Sequence, residues 1–241
     1  MPTNLIYLED TYKFSGQSSI KDVSSDERGQ YCILSETVFY PQGGGQPSDT
    51  GTIDVGNSHI PISSVKFVDG EVRHYGNFSG VNLNVEDMVL MSVNSDERIR
   101  NAKAHTAGHL MYGFVEEMDN DLIAFKGYHF PKGSYVEFKG TPSFVDKEIF
   151  IAEINEKMKE AISLDLCIEA DIVTPEELTS RWSNIPYQLP EGKPLRVVTI
   201  SGLHPTPCGG THLKSLGELK NVEITKIKVR KGNTKISYNF S

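Results

Sequence analysis

The 241-residue chain is short of cysteine and tryptophan, with three of the first (Cys32, Cys167, Cys208) and one of the second. Three scattered thiols cannot build a disulfide framework, and their odd number fits a reducing cytosol. No apolar run approaches the roughly 20 residues a membrane helix needs, so no membrane partner is expected. Met1-Pro2-Thr3-Asn4, soon followed by Glu9 and Asp10, lacks the basic start and apolar stretch of a secretory signal. The expected location is therefore cytoplasmic, and the Asn-x-Ser sequons at Asn77 and Asn239 are read as chance. There is no internal repeat, no low-complexity linker and no sign of an obligate protein partner. Positive charge is scarce too: 24 Lys and Arg face 32 Asp and Glu, a formal net charge of -8. That balance argues against broad, nonspecific binding to phosphate backbones.

What positive charge there is gathers late. Between Lys214 and Lys235 seven basic residues stand against the two acids Glu218 and Glu223. The segment could meet a phosphate backbone, or it could be a solvated strand whose lysines guard a sheet edge.

Hydrophobic residues make up 38% of the chain, which is ordinary for a globular protein. Their pattern divides it in two. Short β-branched or aromatic runs at Tyr31 to Tyr40, Gly51 to Val55, Ile60 to Val68, Glu71 to Tyr75 and Met88 to Val93 alternate with turn signals such as Asp69-Gly70. Many short strands so punctuated suggest a small barrel-like β domain over residues 1–93. At Asn94 the period changes. Asn94-Ser-Asp-Glu97 reads as a capping box opening a helix to about Met118, with Ile99, Ala102, His109 and Leu110 on its buried stripe. Further helices are expected over Asp146 to Ile162, with Ile149, Ile154, Met158 and Ala161 inward, and from Thr174-Pro-Glu-Glu177 onward. Strands fit Ser134 to Phe138, Leu166 to Val173, Leu195 to Ile200, Val222 to Val229 and Lys235 to Phe240. The fold class is α+β, and residues 94–241 form a domain of helices on a largely antiparallel sheet.

Two short motifs carry the chemistry. His105-Thr-Ala-Gly-His109 places two imidazoles four apart, on one face of the expected helix, where they can share an ion. Cys208-Gly-Gly-Thr-His212 repeats the spacing in a turn after Pro205 and Pro207, where Gly209 and Gly210 are expected to let the backbone curl. Together they offer one thiolate and three imidazoles, the donor set and number that suit one zinc ion. The metalloprotease pattern is excluded because Thr106 stands where its general-base glutamate would be. The nucleobase-deaminase pattern is excluded because no second cysteine follows Pro207-Cys208 at its spacing. No carboxylate in the motifs offers itself as general base; His129 and His204 are weak candidates for that role and read rather as surface or loop histidines.

A third segment, Phe39-Tyr-Pro-Gln-Gly-Gly-Gly-Gln-Pro-Ser-Asp-Thr-Gly51, has three consecutive glycines. They point to close approach of a ligand or of another backbone, with a bulge or domain-packing loop as the alternative. It is no Walker loop, since no Gly-Lys-Ser/Thr follows.

Phe39 to Gly51, Ala104-His-Thr-Ala-Gly-His-Leu110 and Cys208-Gly-Gly-Thr-His212, in that order, resemble the editing region of alanyl-tRNA synthetase. The similarity is greatest to the freestanding AlaX-type editing proteins of medium length, and it covers nearly the whole chain. There is no room for an aminoacylation core. The resemblance implies a trans-acting deacylase that hydrolyses Ser-tRNA(Ala), with Gly-tRNA(Ala) as an open second substrate. It implies zinc ligands at His105, His109, Cys208 and His212, and tRNA(Ala) mischarged with serine or glycine as the partner. A site that spares the alanyl ester must pair with the serine hydroxyl. Thr106, Gln46 and Asp49 are the candidates, alongside the glycine loop Gly43, Gly44 and Gly45. Two alternatives stay open: a noncatalytic RNA-binding module with a structural zinc, and another zinc-dependent hydrolase of esters or amides.

Overall fold

The computed structural model describes residues 2–182, 185, 188–189 and 192–241. They cluster into two compact units, Met1–Ala102 and Lys103–Ser241. No described helix is long and apolar enough to cross a membrane.

The first unit is a closed antiparallel barrel of six strands: β1 (Ser15–Asp26), β2 (Gly29–Leu34), β3 (Gly51–Val55), β4 (Ser58–Val68), β5 (Glu71–Gly76) and β6 (Met88–Val93). Their order around the barrel is β1-β2-β5-β4-β3-β6. Closure leaves no free edge, the usual solution for a sheet that would otherwise expose unpaired backbone. Its core holds Ile20, Leu34, Phe39, Ile53, Ile62 and Met91, each nearly or wholly out of solvent. Burying such a side chain contributes about 1.5–3 kcal/mol, so the barrel has ample apolar drive.

Two strand expectations need correcting. Tyr31 to Tyr40 is not one strand: β2 ends at Leu34, and a separate two-residue strand, Glu36–Thr37, follows. The sequence also hides β1, the longest barrel strand, because Ser, Gln, Lys and Asp fill its solvated face and only Ile20 is fully buried within it.

Helix α1 (Ser95–Met118) begins as expected, with the Asn94 side chain accepting the Glu97 N–H at 3.2 Å. The reciprocal half of the capping box is absent. The Asn94 N–H instead donates to the Thr50 carbonyl at 2.9 Å, and the Glu97 carboxylate accepts the Thr50 hydroxyl. Arg98, one turn in, is wholly buried and takes the Asp49 carboxylate as its counter-ion, with its Nε 3.0 Å from both oxygens. Ile99, expected on the buried stripe, is only half-buried.

In the second unit a four-stranded antiparallel sheet is ordered β11-β12-β8-β7. It comprises β7 (Ile123–Tyr128), β8 (Tyr135–Lys139), β11 (Val222–Arg230) and β12 (Asn233–Phe240). Val136, Phe138, Ile236, Tyr238 and Ile224 fill its inner face. Helix α2 (Lys147–Ser163) is capped by Asp146 and buries Phe150, Ile154, Met158 and Ala161. The stripe thus starts at Phe150, not at Ile149, which is 57% exposed. Thr174 and Glu177 close a complete capping box on α3 (Pro175–Arg181). A smaller sheet joins β9 (Ile168–Val173), β10 (Leu195–Ile200) and the two-residue strand Thr206–Pro207. The architecture is α+β, as the period change at Asn94 implied.

Candidate metal centre

Helix α1 is buried on almost every side between Ala104 and Gly113, the mark of a helix packed into a core rather than laid upon one. Small residues make this possible. A Cβ on Gly108 would come within 2.4 Å of the His129 ring and 2.7 Å of the Tyr238 hydroxyl. His105 and His109 rise from this helix with ring centroids 5.0 Å apart, and the loop after Thr206–Pro207 brings Cys208 and His212 to them.

The four candidate ligand atoms all lie within 4.8 Å of one another. Cys208 Sγ is 3.6 Å from His105 Nε2 and 3.3 Å from His212 Nε2. Tetrahedral zinc, with bonds of about 2.0 Å to nitrogen and 2.3 Å to sulfur, separates its ligand atoms by about 3.3–3.6 Å. The chemistry of the donors and their spacing therefore fit a single ion of this kind, and the group could hold one metal ion.

Neighbouring hydroxyls orient the imidazoles. Tyr112 donates its hydroxyl to Thr206 Oγ1 and so receives the His109 Nδ1–H at 3.3 Å, which leaves Nε2 as the donor atom. His212 Nδ1 lies 3.1 Å from Thr106 Oγ1, and the Leu213 N–H donates to the same oxygen at 3.2 Å. Such outer contacts fix ring direction and tautomer in metal sites. The Arg196 guanidinium holds the cysteine loop by donating to the carbonyls of Cys208 (2.7 Å) and Gly210 (3.0 Å). Gly210 donates its N–H to Cys208 Sγ at 3.3 Å. Neither Gly209 nor Gly210 is among the glycines of positive φ, and these hydrogen bonds tie the loop in place.

Electrostatics favour the metal-binding protonation state of the histidines. Burial first, then the surrounding imidazoles, holds His105 and His109 well below the usual range. For His212 burial acts first and Arg196 second. Cys208 runs the other way, since burial raises its thiol while the Gly210 N–H and Arg196 pull it down. A cation in the cluster would supply the missing drive, because a coordinating thiol is deprotonated outright.

His129 lies in the loop after β7 but is buried, not on the surface, and stacks on His105 at 4.4 Å and 19°. Tyr238 donates its hydroxyl to the Ala104 carbonyl at 2.8 Å, so it accepts the His129 Nδ1–H at 2.7 Å. Burial pushes His129 down to about 4, so it is neutral at physiological pH. His204 is tied to Glu116 at 2.8 Å and stacked on Trp182 at 4.1 Å. Beside His109 a narrow cleft is lined by Tyr112, Val198, Leu203, His204 and Thr206. Tyr112, Thr206, Arg196 and Tyr238 gave no signal in the sequence, because only the fold makes them neighbours of the motifs.

The glycine-rich segment belongs to the first unit. Gly43 and Gln46 exchange backbone hydrogen bonds of 2.8 and 3.3 Å around Gly44 and Gly45, whose φ values are 51° and 79°. Positive φ at both central residues is the demand of a type I′ turn, so backbone geometry alone accounts for these two glycines. Gln46 and Asp49 are fully buried. Asp49 accepts the Tyr40 N–H at 2.6 Å as well as Arg98.

Two family models match the chain: tRNA synthetases class II (A) over residues 7–97, and threonyl and alanyl tRNA synthetase second additional domain over residues 195–237. The alanyl-tRNA editing protein AlaX-M of Methanosarcina mazei is 28% identical, over 99% of this chain and 96% of its own length. The alanine–tRNA ligase of Caldivirga maquilingensis is 27% identical over 96% of this chain, which spans only 26% of the ligase. The editing protein AlaX-L of Pyrococcus horikoshii is 27% identical, with 95% of this chain and 55% of the relative aligned.

Proposed function

We propose, from the premise that this chain belongs with the AlaX-type alanyl-tRNA editing proteins, that it hydrolyses the aminoacyl ester of mischarged tRNA(Ala) in trans. Serine is the principal misplaced amino acid and glycine the second. The observation that carries the reading is the convergence of His105, His109, Cys208 and His212 within 4.8 Å. Zinc is the ion that this donor set favours. Bound there, it would supply Lewis acidity toward the ester carbonyl or a water of lowered pKa.

The chain's own groups do the rest. Tyr112 and Thr106 hold His109 and His212 in one orientation each. Val198 and Leu203 form the apolar wall of the narrow cleft beside His109, which Tyr112 and Thr206 with their hydrogen-bonded hydroxyls also line. Thr106 then acts indirectly, through His212, and Gly43, Gly44, Gly45, Gln46 and Asp49 remain candidate substrate contacts of the barrel unit. His129, held neutral by burial, stacks on His105 and backs that ligand. Three free cysteines support a cytoplasmic setting.

The test is deacylation of Ser-, Gly- and Ala-tRNA(Ala) with and without chelator, alongside metal analysis of the purified protein. Hydrolysis of the seryl ester, sparing of the alanyl ester and loss with chelator are expected; no hydrolysis of any of the three would sink the reading. One observation favours a second reading, an RNA-binding module with a structural metal: four protein ligands are the count of closed sites, whereas catalytic zinc keeps a position open. Under that reading, removing the metal unfolds the second unit.

A further inference from the structure

In the sheet β11-β12-β8-β7, buried residues alternate with exposed or partly exposed ones along β8 and β12, so one face is packed and the other meets solvent. Residues alternate between faces along a strand. Just past the end of β7, His129 is buried against His105, while its chain neighbours Tyr128 and Phe130 are only partly buried. There Phe130 and Tyr128 stack at 4.4 Å and 12°, and Tyr128 stacks on Tyr135 of β8 at 5.1 Å and 12°. All three residues are partly exposed. The Lys235 ammonium of β12 sits 3.1 Å from the centre of the Tyr135 ring. Lys228 is paired across from Lys235, and Lys226 from Ser237, so exposed lysines continue the same face on β11. Glu137 lies among them and takes Lys126 at 3.9 Å, and Glu223 lies at the far end.

A protein interface would be depleted of charge at its core and would bury these rings among apolar neighbours. Parallel aromatic faces interleaved with cations instead match unpaired nucleotides, whose bases stack while their phosphates meet lysine. The match matters more in a chain of net charge -8, because its cations must be concentrated to attract phosphate at all. Lys235 can serve both parts: a base arriving on Tyr135 displaces the ammonium toward the adjoining phosphate.

We propose that this outer face, built on Tyr128, Tyr135 and Phe130 with Lys226, Lys228 and Lys235, binds an unpaired stretch of RNA. That the RNA is tRNA rests on the reading in the previous subsection; the stacking surface does not.

Fluorescence anisotropy with a short single-stranded RNA, a duplex RNA of the same length and a tRNA(Ala) transcript separates the terms. Tyr128→Leu and Tyr135→Leu should each weaken single-strand binding by about 10-fold or more, whereas Tyr135→Phe should retain it. Lys226→Gln with Lys228→Gln should flatten the salt dependence. Circular dichroism and metal content, unchanged in each variant, exclude misfolding. In deacylation, Tyr135→Leu should raise KM and leave kcat alone. Wild-type affinity in both leucine variants, or equal loss with single-stranded and duplex RNA, overturns the proposal. If the wild type deacylates nothing while the leucine variants still lose single-strand binding, the functional reading falls and the binding face stands. If deacylation proceeds with unchanged KM and unchanged RNA binding in the leucine variants, the reverse holds.

Discussion

Both compact units bury histidine, but they complete it differently. In the barrel, His74 donates Nδ1–H to the Cys32 carbonyl at 3.2 Å and accepts the Thr37 hydroxyl at Nε2, 2.8 Å away. Asp49 and Arg98 likewise satisfy each other and the surrounding backbone. In the second unit, His109 and His212 each spend one nitrogen on a protein hydroxyl and turn the other toward a shared point. A buried polar group whose partners are all within the protein is a structural expense already covered; lone pairs aimed at one another ask for a cation. The difference separates a core histidine from a ligand more surely than sequence spacing does.

The largest expected effect falls on the second unit. Cys208→Ala removes the only thiolate donor of the cluster, and turnover of Ser-tRNA(Ala) should drop to background in a single-turnover assay while the far-UV spectrum is kept. A variant that binds zinc and hydrolyses normally would erase the contrast with the barrel. Next comes Asp49→Asn, which leaves the Arg98 charge buried without its counter-ion. It should cost about 3–5 kcal/mol in denaturant unfolding, and Asp49→Leu combined with Arg98→Met should recover most of the loss.

Acid sensitivity of the barrel follows from His74, which burial pushes down to about 4 from its ordinary 6.5. The unfolded chain binds this proton at a higher pH than the folded one. The contribution is therefore complete above about pH 6.5 and is lost as pH falls toward 4. At about 1.4 kcal/mol per pH unit it amounts to at most about 3.5 kcal/mol. Urea unfolding of the wild type and His74→Gln at pH 7 and pH 5 measures it: the pH dependence should shrink in the variant. The smallest effect is expected for Thr106→Val, which takes the hydroxyl from His212 Nδ1 but keeps the shape. Loss of a contact of this kind weakens metal affinity by about 10–100-fold, to be read by competition with a chromogenic chelator.

Much of the site could be read from spacing. His105 and His109 lie four apart within an expected helix, and Cys208 and His212 sit beside two prolines, so their pairing follows from donor chemistry. The closed barrel was legible from short strands and turns, whereas β1 was not: its polar face hides the period. The inward turn of His129 was equally invisible, because β7 is short and its single bulge opposite Glu137 and Phe138 breaks the alternation. The glycine run reads as close approach of a ligand or another backbone, or as a bulge or packing loop, and its central pair takes the positive φ of a turn. Entropy makes glycine costly wherever it stands, and cost alone does not say which use explains it.

His129 lies in a slot between two residues without side chains. A Cβ at Gly108 or at Gly127 would strike its ring, at 2.4 and 2.1 Å respectively. The ring is thus moulded by absences on a helix and a strand, and shortening it to alanine would leave a hole shaped for a free imidazole. Added imidazole should then enter that mould and restore whatever the ring supplies, so the contribution of one side chain could be titrated from solution.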